Sequence, residues 1–88
     1  MAAYRIEIKR SARKVLLSLP QADQTRIANA IDSLANDPRQ PRTRKLKGTQ
    51  GLYRFRVGDY RLIYEIQDEQ LVVVVVKIGH RREVYREH

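Results

Sequence analysis

Residues 53–66, YRFRVGDYRLIYEI, read as two strands joined at Gly58-Asp59. Alternation along the first strand places Tyr53, Phe55 and Val57 on one face, and Arg54 and Arg56 on the other. A two-residue turn, with Gly58 supplying a positive φ, pairs Val57 with Tyr60 and Arg56 with Arg61. Phe55 then faces Leu62, Arg54 faces Ile63 and Tyr53 faces Tyr64. Arg54, Arg56 and Arg61 therefore share one sheet face, two of them directly opposite each other. A slip of one residue in the turn would send the arginines to opposite faces.

Like charges facing each other across strands cost roughly a few tenths of a kcal/mol to one. Two things offset this: a carboxylate within the chain, for which Glu65 on the same strand face is the nearest candidate, or an anion from outside. The plainer reading is a set of solvated positions in a chain rich in arginine. Anion binding is the favoured one, because guanidinium suits bidentate contact with phosphate.

Eighty-eight residues make one small domain, spanning 1–88, with room for one core and for a shallow groove rather than a deep enclosed pocket. With no cysteine there is neither a disulfide nor a thiolate metal site, as suits a reducing cytoplasm. Arg5 and Lys9 interrupt the opening residues where a signal peptide needs an apolar run. Leu71 to Val76 is apolar but far too short to cross a bilayer. A cytoplasmic protein with no membrane partner is expected. The net charge is +8, from 18 Lys+Arg against 10 Asp+Glu, and the usual partner of such a field is nucleic acid. An acidic protein is the other partner, and the two are compatible if it covers the nucleic-acid surface.

Tyr4 to Lys9 alternates as a first strand, with Tyr4, Ile6 and Ile8 toward the core. Ser11 is positioned to cap a helix from Ala12 to Leu19, which Pro20 stops. A second helix runs from Ala22 to about Asn36, with Ile27, Ala30, Ile31 and Leu34 on one face, and Asn36-Asp37-Pro38 ends it. Residues 38–50 form a basic loop carrying Arg39, Arg42, Arg44, Lys45 and Lys47. It is either a solvated connector or an extension of the arginine face, where Arg44, Lys45 and Lys47 would add phosphate contacts without sequence choice. After a turn at Asp68-Glu69, a third strand runs from Gln70 to Ile78 and ends at Gly79. Its run Leu71 to Val76 does not alternate, which marks a central strand. The architecture expected is α+β: a mainly antiparallel sheet with an N-terminal strand, a two-helix hairpin packed on one face and a positive groove on the other.

Beyond Gly79 the tail reads HRREVYREH. Arginines interleaved with Tyr85 suit RNA, since Arg grips phosphate and an aromatic ring stacks on an unpaired base. Spacing alone slightly favours Tyr85 as a core aromatic that pins the tail. His80, Glu83, Glu87 and His88 fall at helical offsets of three, seven and eight, but Arg81, Arg82 and Arg86 would repel a cation. No metal and no cofactor is expected. Metal-free cleavage of RNA needs a base for the ribose 2′-OH, cations on the pentacoordinate phosphorus and an acid for the departing 5′-oxygen. Arg54, Arg56, Arg61 and Arg81 supply the cations; His80 and Tyr85 are the candidates for proton transfer.

KLKG (45–48), YRFRVGDYRLIYEI (53–66) and VVVVKIGHRREVYR (73–86) resemble the RelE toxins of bacterial toxin–antitoxin systems, within the RelE/ParE superfamily. The resemblance covers nearly the whole chain. It implies a ribosome-dependent endoribonuclease that cuts mRNA in the 30S A site, leaves a 2′,3′-cyclic phosphate and is held inactive by a RelB-like antitoxin. The family's phosphate-binding arginine on the second hairpin strand falls on Arg61, its arginine after the last strand on Arg81 and its tail tyrosine on Tyr85. Arg82 joins them as an RNA contact. A pair of lysines on the first hairpin strand falls on Arg54 and Arg56, a departure that matters: guanidinium stays protonated and makes a poor base. Arg54 and Arg56 are then charge stabilisers, and the base is Tyr85, His80 or no protein group. Two rivals stand: a ParE-like toxin that inhibits DNA gyrase by binding it, and a non-catalytic RNA-binding module.

Overall fold

The computed structural model describes residues 3–48 and 51–80. Its elements are β1 (Arg5–Ile8), α1 (Arg10–Ser18), α2 (Gln21–Asn36), β2 (Thr43–Lys45), β3 (Leu52–Val57), β4 (Tyr60–Gln67), a single 3₁₀ turn (Asp68–Gln70) and β5 (Val72–His80). The five strands form one sheet in the order β1-β5-β4-β3-β2. Only β1 and β5 run parallel and the other pairings are antiparallel, so the sheet is mainly antiparallel, as expected.

The hairpin register is the one alternation dictates: Val57 opposite Tyr60, Arg56 opposite Arg61, Phe55 opposite Leu62, Arg54 opposite Ile63 and Tyr53 opposite Tyr64. Gly58 takes φ +58° while Asp59 keeps a negative φ, the pattern of a type II′ turn with glycine at its first central position. A Cβ on Gly58 would stand 2.8 Å from Nη1 of Arg26, which reaches over the turn from α2.

Phe55, Leu62, Tyr64 and Ile66 from the hairpin meet Val73, Val75 and Ile78 on one sheet face. Ala12 of α1 and Ile27, Ile31 and Leu34 of α2 close this core from above, with Tyr4, Ile6, Ile8 and Ala30 half-buried around it. Tyr64, Ile27, Leu34, Leu62, Val73 and Val75 are among its fully enclosed side chains. At about 25 cal/mol per Å² of apolar surface, such packing is the main stabilising term of a domain this small.

Three local features differ from the sequence reading. Ser11 is not the cap of α1: Lys9 stands there in extended conformation, without a side-chain cap, and its carbonyl accepts from the Arg13 N–H at 2.9 Å. The Lys9 N–H is spent on the Val75 carbonyl at 2.9 Å, so the last sheet bond, not a hydroxyl, fixes where the helix begins. Residues 38–50 are not all loop, since Thr43–Lys45 pairs with β3 as an edge strand. Three residues are too few to display alternation. The last strand does not end at Gly79: Gly79 pairs with Arg61 and His80 with Tyr60, because the ladder runs until β4 has no more residues to offer. The strand with the unbroken valine run lies inside the sheet between β1 and β4, as expected, and its register with β4 steps over Val76 between Ile63 and Tyr64.

Candidate functional site

On the face of the sheet away from the helices, the new edge strand changes the charge pattern. Arg44 of β2 lies opposite Arg54 of β3, and Arg56 of β3 lies opposite Arg61 of β4. Two rungs of facing guanidinium groups thus replace the single rung that the hairpin alone supplies. Each disfavours the folded state by roughly a few tenths of a kcal/mol to one relative to a neutral pair. Lys77, paired with Ile63, adds a further cation on this face.

The five side chains of Arg42, Arg44, Arg54, Arg56 and Arg61 line a cleft of about 170 Å³. Beside it, sharing Arg42, Arg44 and Arg56, lies a larger depression of about 470 Å³ bounded also by Pro41 and Gly58. Arg61 is the buried charged residue among those described, only 4% exposed. Its strand neighbour Gly79 presents no side chain on that face, which leaves room for the guanidinium. A buried cation is costly unless an anion or strong acceptor meets it. Among the described residues, Arg42, Arg44 and Arg56 make no ion pair. Glu65, the intramolecular carboxylate considered for this role, sits opposite Leu52 and accepts from Nε2 of Gln67 at 3.0 Å.

Of the residues singled out in the sequence, Arg44, Arg54, Arg56 and Arg61 come together here. Lys45 does not: it follows Arg44 in the strand and so projects to the opposite face, beside Tyr53. Lys47 is exposed beyond the end of β2. His80 is also apart. It pairs with Tyr60, meets that ring edge-on at 5.7 Å and lines a hollow with Val15, Ser18 and Leu19 on the helix side of the sheet. Arg81, Arg82 and Tyr85 lie outside the described residues, as does all but His80 of the weighed metal set. Arg42 is the residue that joins the cleft without having been assigned to a site. Its signal was present in Arg42-Thr43-Arg44, where both arginines fall on one face once the segment is extended.

A second polar cluster occupies the far end of the sheet. Arg39 donates to both carboxylate oxygens of Asp68, at 2.9 and 2.7 Å, and from Nε to the Tyr53 hydroxyl at 3.2 Å. Tyr4 donates to the same carboxylate at 2.7 Å. The Arg39 and Tyr4 hydrogen bonds hold the Asp68 carboxyl down at about 2. Tyr53 stacks on Tyr64, whose buried hydroxyl donates to the Pro38 carbonyl at 2.7 Å, and burial pushes that phenol up to about 12.

The family described as ParE toxin of type II toxin–antitoxin system, parDE, matches residues 6–85. Toxin RelG of Mycobacterium tuberculosis (strain ATCC 25618 / H37Rv) is 33% identical over 87 residues, covering 94% of this chain and 97% of RelG. The mRNA interferase toxin RelE of Escherichia coli (strain K12) is 29% identical over 89 residues, covering 97% and 93%. In the crystal structure of the archaeal RelE-RelB complex from Pyrococcus horikoshii OT3, a chain 38% identical aligns with a TM-score of 0.79 over 90% of this chain and 96% of that one. The chain therefore belongs to the ParE toxin family of type II toxin–antitoxin systems. Within it, this is a RelE-type toxin.

Proposed function

We propose that this toxin is a metal-free endoribonuclease that cleaves mRNA in the ribosomal A site and so stops translation. The observation that carries the reading is the arginine-lined cleft, whose positive charge is gathered on one sheet face at a cost to the fold. In the reaction, the ribose 2′-oxygen attacks phosphorus, the bond from phosphorus to the 5′-oxygen breaks, and a 2′,3′-cyclic phosphate forms. The 2′-proton leaves to a base and a proton is delivered to the 5′-oxygen. Arg54, Arg56 and Arg61 stabilise the charge on the pentacoordinate phosphorus, worth roughly 10²–10³ in rate for one well-aimed donor. Resemblance to RelE toxins adds Arg81 to this set, Arg82 as an RNA contact and Tyr85 for proton transfer. His80 is the weaker candidate for base, since its ring lies on the helix side. Holding the strand in line for attack supplies much of the remaining acceleration.

The partners follow from the same reading: mRNA, the 30S A site and, because a similar chain is found in a RelE-RelB complex, a RelB-like antitoxin. The chain acts in the cytoplasm, where these partners are. Among the described residues, no helix is long and apolar enough to cross a membrane. The test is primer extension on a defined mRNA in a reconstituted translation reaction, with and without ribosomes. Ribosome-dependent cuts at A-site codons are expected. Intact mRNA beside retained toxicity overturns the reading. The family description, which names ParE, then favours the second one: inhibition of DNA gyrase by binding, measured in a supercoiling assay.

A further inference from the structure

We infer that the cleft holds two successive phosphates of one RNA strand, the second of them gripped by Arg42 and Arg44 from the edge strand β2. The nucleic-acid part of the proposed function is assumed here; cleavage is not.

Size and lining divide the cleft into two lobes. Among the described residues, the inner lobe, about 170 Å³, is lined by Arg42, Arg44, Arg54, Arg56 and Arg61. Guanidinium groups gathered around so small a volume suit a phosphate. The outer lobe, about 470 Å³, has the Pro41 ring and the Gly58 backbone set among its arginines. That volume admits ribose and base as well as phosphate, and guanidinium planes stack on unpaired bases. Arg42, Arg44 and Arg56 line both lobes, so the two adjoin.

Topology supplies the direction. β2 is the last strand of the sheet, with nothing beyond it among the described strands, so the outer lobe opens over a sheet edge. An RNA strand can enter across that edge, pass Arg42 and Arg44, and place the next phosphate against Arg54, Arg56 and Arg61. Lys45 takes no part, since alternation aims it at the other face. Arg42 and Arg44 are thus positioning residues. They set how much of the strand is held, and the inner arginines meet the next phosphate.

The experiment uses the whole chain and a short, fluorescently labelled 2′-O-methyl RNA, which cannot be cleaved because its 2′-oxygen is blocked. Affinity is measured by anisotropy over a salt series. Each phosphate contact on a single strand contributes about 0.7 to the slope of log K against log salt. Arg42→Ala with Arg44→Ala is expected to make that slope shallower by about 0.7. Arg13→Ala with Lys14→Ala, which removes the same charge from α1 on the helix side, is expected to leave it within a fraction of that. Arg42→Lys with Arg44→Lys keeps the charge and restores the slope, which separates lost contacts from lost folding.

An unchanged slope in the Arg42/Arg44 alanine variant overturns the inference. So does an equal loss in the α1 variant, which would reduce the effect to the overall field. The nuclease reading fails separately: mRNA left intact on ribosomes, beside the expected change in slope, leaves a two-phosphate cleft without cleavage.

Discussion

The molecule uses arginine in two opposite ways at the two ends of one sheet. Arg39 is satisfied: a bidentate carboxylate, a phenol and an aromatic face 5.5 Å from its guanidinium carbon surround it. The cleft arginines are set against each other, Arg44 across from Arg54 and Arg56 across from Arg61. The first arrangement ties the start of β1, the segment after α2, β3 and the turn after β4 into one network. The second gathers like charge on one face, which a bound polyanion would relieve. Residue type alone does not tell a structural arginine from a binding one. A carboxylate held against the guanidinium, as Asp68 is against Arg39, marks the structural one.

The sharpest way to break this comparison is at Arg61. Replacing it with Met keeps most of the buried volume and removes one member of a facing pair. RNA cleavage on ribosomes is expected to fall roughly 10²–10³-fold. The denaturation midpoint is expected to hold or rise, since swapping a buried charge for a well-packed apolar residue is often neutral or stabilising, and the facing pair is worth at most about 1 kcal/mol. Loss of activity together with clear destabilisation would make Arg61 a structural residue like Arg39. The contrast would then collapse.

Tyr64→Phe probes the other end with a smaller effect. The hydroxyl is fully buried and its removal leaves the Pro38 carbonyl unsatisfied, so a loss of about 1–2 kcal/mol is expected in denaturant. Cleavage per folded molecule should not change. The variant also has a pH signature. The Tyr64 phenol titrates at about 12 in the fold against 10.0 ordinarily, so the unfolded chain gives up that proton first. Stability from this group is therefore complete below about 10 and fades as pH climbs toward 12. The alkaline limb of the parent's stability curve should be steeper than that of Tyr64→Phe. Matching limbs would place the strain elsewhere.

Much of this contrast was legible in the sequence, and the parts that were not share a cause. The hairpin could be read because period-two alternation and one glycine turn fix both register and face, which brings Arg54, Arg56 and Arg61 together without any long-range knowledge. The helices could be read from apolar spacing and proline. β2 could not, because Thr43–Lys45 has no apolar residue to alternate and exists only because β3 offers it an edge. With it went the Arg44–Arg54 rung and the place of Arg42. The same limit hid the Arg39–Asp68 pair, whose members are 29 residues apart and meet only after the sheet is assembled. His80 was misplaced for a subtler reason: one residue of extra strand decides which face a side chain takes.

The finest test of the contrast is the Arg39–Asp68 pair itself, where the expected effect is the smallest because both side chains are about half exposed and salt screens them. Asp68 titrates at about 2 in the fold against 3.8 ordinarily. The unfolded chain therefore takes up a proton first as pH falls. The contribution of this carboxylate is fully present above about 4 and is lost as pH drops toward 2. Asp68→Asn should flatten the acid limb of the stability curve over that interval, and added salt should narrow the gap between variant and parent. At the cleft, salt has the reverse consequence for the fold, because screening relieves like charges instead of weakening opposite ones. If Asp68→Asn and the parent lose stability in parallel from pH 4 to 2, the carboxylate anchors nothing. Arg39 would then differ from the cleft arginines in geometry alone.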